Sequence, residues 1–442
     1  MKDSLPDTDA RLTRRFNRLV EEHMGHGHKT AAGPRALPGE TSAMASTQAI
    51  WRFCGNRRLT LPKLAQPLLA RARQAANQCC RRYALVVHDW SNLDYRTHAS
   101  KQDRIVLGNA LEIGYELRSA LLVSDRGEPL APLCQDLRAA DGVHSTRQPC
   151  VQPSQSCLDE LEPVFSYIDE LELGFPVVHI IDREADSVAH YRQWQAAGHL
   201  FLVRADAERI VKHEQQDRRL SEVVALLANR QAFRDSRAVE WHGQPARQWV
   251  AETEVILDRP AYPHRVGADG VEKRVKVPGP AIALRLVVSR IYDSQGQLLA
   301  EWLLLTNVTS EVDAAEIALW YYWRWRIESY FKLLKGAGQQ LEQWQQETAI
   351  AIARRLLVAS MACVLIWQLA RNSSPEAVRL RSLLIRLSGR QMKWGEEFTE
   401  PALLAGMWVL LAMLEVMQQH DETELQRMVT LVLDASNDPN TS

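Results

Sequence analysis

The sequence predicts an α/β protein whose core of strands and helices is interrupted by a β-rich insertion and flanked by helical regions at both ends. Three observations carry that prediction. Two short apolar runs, residues 83–89 (Tyr-Ala-Leu-Val-Val-His-Asp) and 176–182 (Pro-Val-Val-His-Ile-Ile-Asp), are rich in strand-forming residues and each ends in an acid. Further β-rich runs crowd residues 199–308. Residues 321–335 (Tyr-Tyr-Trp-Arg-Trp-Arg-Ile-Glu-Ser-Tyr-Phe-Lys-Leu-Leu-Lys) have a helical period, with Trp323, Ile327, Tyr330 and Leu334 forming an apolar stripe.

Taken in order, residues 1–75 read as a helical, basic region. Arg11, Arg14, Arg15 and Arg18 share one helix, followed by a Pro/Gly-rich loop at residues 33–39. The whole chain of 442 residues carries a formal charge of −1, which hides an asymmetry. Residues 1–82 hold 15 Lys and Arg against 6 Asp and Glu, leaving 38 against 48 for the rest. A basic end of this kind is the electrostatic footprint of a part that meets phosphates.

Residues 76–192 read as strand, meander, helix, strand, helix. The strand at 83–89 comes first, then two or three strands between 110 and 137, a helix near 158–173, and the strand at 177–182. Residues 193–311 read as the insertion, with runs at 199–205, 247–257, 281–292 and 298–308 and turns at 267–270 and 293–296. Residues 312–370 bring the second part of the core, and residues 371–442 are helical and acidic. Leu403, Leu404, Met407, Trp408, Leu411 and Leu414 make one helix of that last region apolar around much of its girth.

The residue types at three places point to phosphate chemistry. At about 100° per residue, Tyr321, Arg324, Glu328 and Lys335 fall within roughly 60° of one another on a single helix face opposite the apolar stripe. Asp89 and Asp182 each end an apolar strand, where an α/β sheet presents its chemistry. Asp94 and Asp186 are rivals, but Asp94 reads as lying in a turn and Asp186 in a first helical turn, where an acid is favoured by the dipole anyway. His88 and His179 read as buried or edge strand histidines rather than ligands, because Mg²⁺ prefers oxygen donors.

The spacing Tyr-x2-Arg-x3-Glu-x6-Lys from Tyr321 to Lys335, the block Asp89-Trp-Ser-Asn-Leu-Asp-Tyr95 and the block Asp182-Arg-Glu-Ala-Asp186 together resemble the signature of DDE transposases of the insertion-sequence-four type, the class carried by the bacterial transposon Tn-five. More loosely, residues 45–58 resemble the end-recognition domain of those enzymes. The resemblance implies a ribonuclease-H-like catalytic core, matching the order of elements above, with an all-β insertion. It implies Asp89, Asp182 and Glu328 as the catalytic acids, holding two Mg²⁺ ions per active site, with Mn²⁺ as a substitute. Tyr321, Arg324 and Lys335 would hold the transposon-end phosphate, Lys332 and Arg204 would add phosphate contacts, and Trp302 would stack on a base flipped out of the end.

The activity so implied is cut-and-paste DNA transposition: nicking, hairpin formation and opening at the transposon end, and strand transfer into target DNA. The partners are double-stranded transposon-end DNA, target DNA and a second copy of the chain, dimerised through residues 371–442 in a synaptic complex. Two other classes stay open, a catalytically silent domesticated DNA-binding protein and a stand-alone two-metal nuclease of the same fold. No Gly-x4-Gly-Lys-(Ser/Thr) phosphate loop is present.

The seven cysteines, Cys54, Cys79, Cys80, Cys134, Cys150, Cys157 and Cys363, form no Cys-x-x-Cys and suggest reduced thiols. His23, His26 and His28 read as a solvated loop. From the opening Met-Lys-Asp-Ser-Leu-Pro-Asp no signal peptide is expected. The apolar runs at 356–367 and 402–414 are too short to span a bilayer. No membrane partner is expected, and the location is a bacterial cytoplasm, in association with the nucleoid.

Overall fold

A computed structural model of the chain describes residues 4–6, 8–31, 43–108, 110–149, 151, 156–262, 264–266, 272–392 and 395–435. The loop expected at 33–39, the turn at 267–270, the side chains of His26 and His28, and Cys150 lie outside the described residues. The chain divides into two compact units, one of Leu59–Phe331 and one of Met1–Arg58 together with Lys332–Ser442.

The Leu59–Phe331 unit is mixed α/β. Its strands are β1 (Ala84–Asp94), β2 (Ile105–Val106), β3 (Ile113–Ser124), β4 (Pro129–Ala139), β5 (Gly142–Ser145), β6 (Val177–Ile181), β7 (Leu200–Arg204), β8 (Ile210–His213), β9 (Gln216–Arg219), β10 (Arg234–Trp241), β11 (Gln244–Leu257), β12 (His264–Val266), β13 (Glu272–Arg274), β14 (Ile282–Tyr292) and β15 (Leu298–Thr306). All but β12 and β13 join one sheet, ordered β5-β4-β3-β1-β6-β7-β15-β14-β11-β8-β9, with β2 beside β3 and β10 beside β11. β3 and β4 run antiparallel to their neighbours, whereas β1, β6 and β7 are mutually parallel.

Burial explains why these segments are strands. Ala84, Leu85, Val86 and Val87 are fully buried, as are Val178, Ile180 and Ile181, so β1 and β6 are covered on both faces in the way central parallel strands require. The helices Leu161–Glu170 and Val188–Ala196 supply the crossovers before and after β6 and bury Leu161, Phe165, Ile168, Tyr191 and Trp194. Each large apolar side chain so covered contributes about 1.5–3 kcal/mol.

Three local expectations are corrected. First, the strand expected at 83–89 continues to Asp94. The polar run after Asp89 looks like a turn by composition, but β3 pairs with it residue by residue from Asp89↔Ser119 to Asp94↔Gly114. Gly114 permits that approach, since a Cβ there would lie 1.8 Å from the Leu93 carbonyl oxygen. Asp89 therefore marks the place where burial falls and the parallel pairing with β6 has ended, at Val87↔Ile180, rather than the end of the strand.

Second, the insertion is not all-β, because Leu220–Asn229 is a helix. Leu220, Val223, Val224 and Leu227 are buried at helical spacing, and Glu222 accepts a hydrogen bond from the Arg219 N–H at 2.9 Å, closing the first turn. The inserted strands also extend the core sheet, with β15 pairing antiparallel to β7. Third, the helix expected over 321–335 is two helices, Ala314–Tyr322 and Trp325–Leu334. Between them Arg324, Arg326 and Ile327 donate their N–H groups to carbonyls three residues back, which tightens the chain at the turn.

The other unit is helical. Its helices are Ala10–Ala31, Ala43–Cys54, Ala349–Arg371, Pro375–Ser388, Glu400–Gln419 and Glu422–Ala435. Ala10–Ala31 buries Phe16, Leu19, Val20 and His23 and exposes Arg11, Arg14, Arg15 and Arg18. His23 lies 2.7 Å from Gln339 through Nδ1, Trp408 donates to the His23 carbonyl at 3.0 Å, and Arg354 donates to the Cys54 carbonyl at 2.7 Å, so the two chain ends share one core. The apolar runs taken as short are parts of longer helices of 23 and 20 residues, long and apolar enough to cross a membrane by length and composition. Of their most apolar stretches, 83% of the first is buried inside the protein and 28% of the second.

Candidate active site

Asp89 and Asp182 become neighbours through register. Val87 pairs with Ile180 in the parallel β1·β6 ladder, and each acid lies two residues further along its chain. Asp182 caps the short turn Arg183–Ala185, its Oδ1 accepting from the Arg183 N–H at 2.6 Å. Glu328 comes from the first turn of Trp325–Leu334. Three carboxylates thus arrive from a strand, a strand end and a helix.

Arg324 joins them. Its guanidinium donates to Asp89 Oδ2 at 3.1 Å and to Glu328 Oε1 at 3.0 Å, and lies 3.4 Å from Asp182 Oδ2. Only 5% of Arg324 is exposed. The i,i+4 pair with Glu328, which a solvated helix would form anyway, is here one arm of a buried three-way contact. The Tyr321 hydroxyl donates to Asp182 Oδ1 at 3.0 Å, and Arg204 at the end of β7 reaches the same oxygen at 3.8 Å. Trp302 on β15 packs edge-on against Tyr321 with ring centres 5.5 Å apart.

The electrostatics follow from this packing. Burial pushes the Asp89 carboxyl above its usual range, and Arg324 and the Trp90 N–H only partly offset it. Burial acts on Asp182 too, but there Arg324, the Arg183 N–H and the Tyr321 hydroxyl outweigh it and hold the carboxyl below the usual range. Burial opposes the charge on Arg324, yet Asp182, Tyr321, Asp89 and Glu328 together raise it. The Tyr321 hydroxyl is pushed up by burial and by Asp182, so it is a donor.

The rival acids are engaged elsewhere. Asp94 is bound to its neighbour Arg96 at 2.9 Å, and Asp186 accepts from the Tyr191 hydroxyl at 3.0 Å, the Asp206 N–H at 2.8 Å and Arg209 at 3.1 Å. Trp302 is buried, with Trp241, Tyr321 and Tyr322 around its ring. Lys332 and Lys335 fall in the helical unit, where Lys335 lies 3.3 Å from Glu342.

Two features were not foreseen. One is that Arg324 binds all three acids, which depends on the turn at Trp323 and could not be read from one helix face. The other lies on the inner side of the sheet, where His88 Nε2 sits 2.9 Å from His179 Nδ1 and His199 approaches Asp169. Burial lowers His88 to about 3 and His179 well below its usual range, so both are neutral near pH 7.

The donor set suits a divalent cation. Three carboxylates from separate elements already hold one positive group between them, and hard oxygen donors select Mg²⁺ or Mn²⁺ over softer ions.

The family model described as "Transposase DDE domain" matches residues 111–365, which include Asp182 and Glu328 and begin after Asp89. No curated protein sequence matches the chain. Among solved structures, a cryo-EM structure titled as a piggyBac transposase synaptic complex with hairpin DNA is similar at 11% identity and a TM-score of 0.32, over 100% of this chain and 80% of that one, a likeness too weak to carry an argument. With the family match spanning more than half of its length, the chain belongs to the family of transposases with a DDE domain.

Proposed function

We propose that this protein is a cut-and-paste DNA transposase of the insertion-sequence-four type, with Asp89, Asp182 and Glu328 as its catalytic acids. The observation that carries the reading is the convergence of those three carboxylates, from three different elements, on the single guanidinium of Arg324. The sheet order β4-β3-β1-β6-β7, three antiparallel strands followed by two parallel ones, supports a ribonuclease-H-like core. The set Tyr321, Arg324, Glu328 and Lys335 supports the narrower class.

Asp89, Asp182 and Glu328 would hold two Mg²⁺ ions. When bound, such a pair supplies activation of the attacking oxygen and stabilisation of the leaving oxygen in an in-line phosphodiester displacement. The chain's own groups do the rest. Arg324 and Arg204 supply cations for the end phosphate and Tyr321 a phenolic donor, while Lys332 and Lys335 of the helical unit are assigned to DNA contact by the sequence resemblance. Trp302 offers an indole face to a flipped base once the aromatic rings around it yield. Nicking, hairpin formation and opening, and strand transfer into target DNA follow from this assignment. Residues 1–75 would recognise the transposon end, residues 371–442 would pair two copies in the synaptic complex, and the protein would act on the bacterial nucleoid.

The test is a gel assay with labelled DNA taken from the inverted repeats flanking the gene, resolving nicked, hairpin and blunt ends. The parent protein should give all three with Mg²⁺. Trp302→Ala should slow the hairpin step more than the first nick, because only the hairpin requires a sharply distorted end. Nicking with no hairpin from the parent would favour a two-metal nuclease, and end binding with no cutting a silent DNA-binding protein.

A further inference from the structure

Three donors meet behind the catalytic edge of the sheet, in a place the proposed transposition chemistry does not use. Asp169 lies near the end of the Leu161–Glu170 helix, His179 in the middle of β6, and His199 immediately before β7. One ligand atom from each lies within 4.8 Å of the other two.

The histidines are set up unusually for core residues. His179 is fully buried, and its Nε2 has no hydrogen-bond partner. Leaving a buried polar atom unpaired forfeits its hydration with nothing in return, so native structures usually fill such a position. Its other nitrogen is fixed, with Nδ1 2.9 Å from His88 Nε2, and its ring is clamped face to face on Phe165 with centres 3.7 Å apart. If Nδ1–H donates to His88, the unpaired Nε2 keeps a free lone pair, and an outer neighbour of this kind is what normally fixes the tautomer of a metal-ligating histidine.

His199 repeats the pattern. It is 5% exposed, its Nδ1 lies 2.9 Å from Asp169 Oδ2, and neither ring nitrogen makes a hydrogen bond. The Asp169 side chain is 50% exposed, which opens the cluster to solvent on one side.

We propose that Asp169, His179 and His199 form a second metal site, built for a borderline transition ion such as Zn²⁺ and distinct from the carboxylate triad. Two imidazoles and one carboxylate are the donor set of a four-coordinate Zn²⁺ site, with water in the fourth position from the Asp169 side. Tetrahedral Zn²⁺ bonds of about 2.0–2.2 Å place donor atoms roughly 3.4 Å apart, a value bracketed by the 2.9 Å between His199 Nδ1 and Asp169 Oδ2 and the 4.8 Å within which all three donors lie. The ion ties a crossover helix to two parallel strands. One of those strands, β6, leads directly into Asp182, so a bound ion braces the acid-bearing edge of the sheet.

The donors separate the two sites by chemistry. Three carboxylates favour Mg²⁺ and Mn²⁺, whereas a nitrogen-containing set favours Zn²⁺ or Co²⁺. The probe is Co²⁺ alone, titrated into full-length protein stripped of metal with EDTA and followed by visible absorption, with the bound ion counted after desalting. One Co²⁺ per chain, with the strong visible bands of a four- or five-coordinate ion displaced by Zn²⁺, is the expected result.

Asp169→Asn, at a half-exposed position that folding tolerates, and His199→Gln should each weaken that binding about tenfold or more. A triad variant combining Asp89→Asn, Asp182→Asn and Glu328→Gln should retain it, so that failure of the catalytic assignment and failure of this site give different results. No bound Co²⁺ in protein with an intact circular dichroism spectrum would overturn the proposal. So would bands that persist in Asp169→Asn and His199→Gln but vanish in the triad variant.

Discussion

Replacing Arg324 with alanine leaves Asp89, Asp182 and Glu328 facing one another without the guanidinium that lies 3.1, 3.4 and 3.0 Å from them. Removing one partner of a buried ion pair costs about 3–5 kcal/mol, because the remaining charge stays out of water unpaired. Two features hold the cost to the lower part of that range. The three acid side chains keep 20–32% of their surface exposed. A carboxyl can also escape by taking a proton, which at pH 7 caps the cost at about 4 kcal/mol for a group of ordinary acidity and at less for Asp89, whose carboxyl burial already pushes up. The expected loss is therefore about 3 kcal/mol, or about two orders of magnitude in a local opening equilibrium. The assay is amide hydrogen exchange of peptides covering Ala84–Asp94 and Val177–Ile181 in EDTA, comparing Arg324→Ala with the parent. Adding Mg²⁺ should slow exchange more in the variant, where the carboxylates lack a cation. Equal exchange in parent and variant without metal would refute the argument that Arg324 neutralises the triad.

Other consequences concern the helical unit. His23 is held at about 3 by burial and by Arg355, below its value of about 6.5 in an unfolded chain. The stability it contributes is complete above pH 6.5 and falls by about 1.4 kcal/mol per pH unit as pH drops from 6 towards 3, visible as faster exchange in Ala349–Arg371; no change between pH 7 and pH 5 would contradict the neutral, buried assignment. Arg11, Arg14 and Arg15 are exposed on Ala10–Ala31, so replacing all three with alanine should flatten the dependence of DNA affinity on salt by about 2–3 in log–log slope. An unchanged slope would remove that helix from the DNA-binding surface.

The acids were legible in the sequence because their identity depends on local context: β-rich runs bounding Asp89 and Asp182, and a fixed spacing from Tyr321 to Glu328. What the sequence could not display is pairing between distant segments. The extension of β1 to Asp94 is dictated by β3, and composition alone makes Trp90-Ser91-Asn92 look like a turn. The break at Trp323 lets Arg324 reach inward to three acids, and two of those acids are more than 140 residues away in the chain or on a different strand. The Leu220–Asn229 helix has a clear apolar period but sits among strands, and the β-rich surroundings outweighed it. His179 was recognised as a buried histidine, but its convergence with His199 and Asp169 exists only once the crossover around β6 is formed.

The central claim is that Asp89, Asp182 and Glu328 act as one catalytic set, with Asp89 set beside Asp182 by the register of β1 and β6 and Glu328 joined to both through Arg324. The most direct measurement is Mg²⁺-dependent nicking of labelled transposon-end DNA by Asp89→Ala, Asp182→Ala and Glu328→Ala, with Asp94→Ala and Asp186→Asn as controls and end binding measured alongside. The account predicts that each of the three triad variants still binds the end but cuts it at least a hundredfold more slowly, on the order of the loss seen when a group acting in the transition state is removed, while Asp94→Ala cuts at the parent rate. Normal cutting by Asp89→Ala, or loss of cutting in Asp94→Ala with Asp89→Ala unaffected, would contradict it.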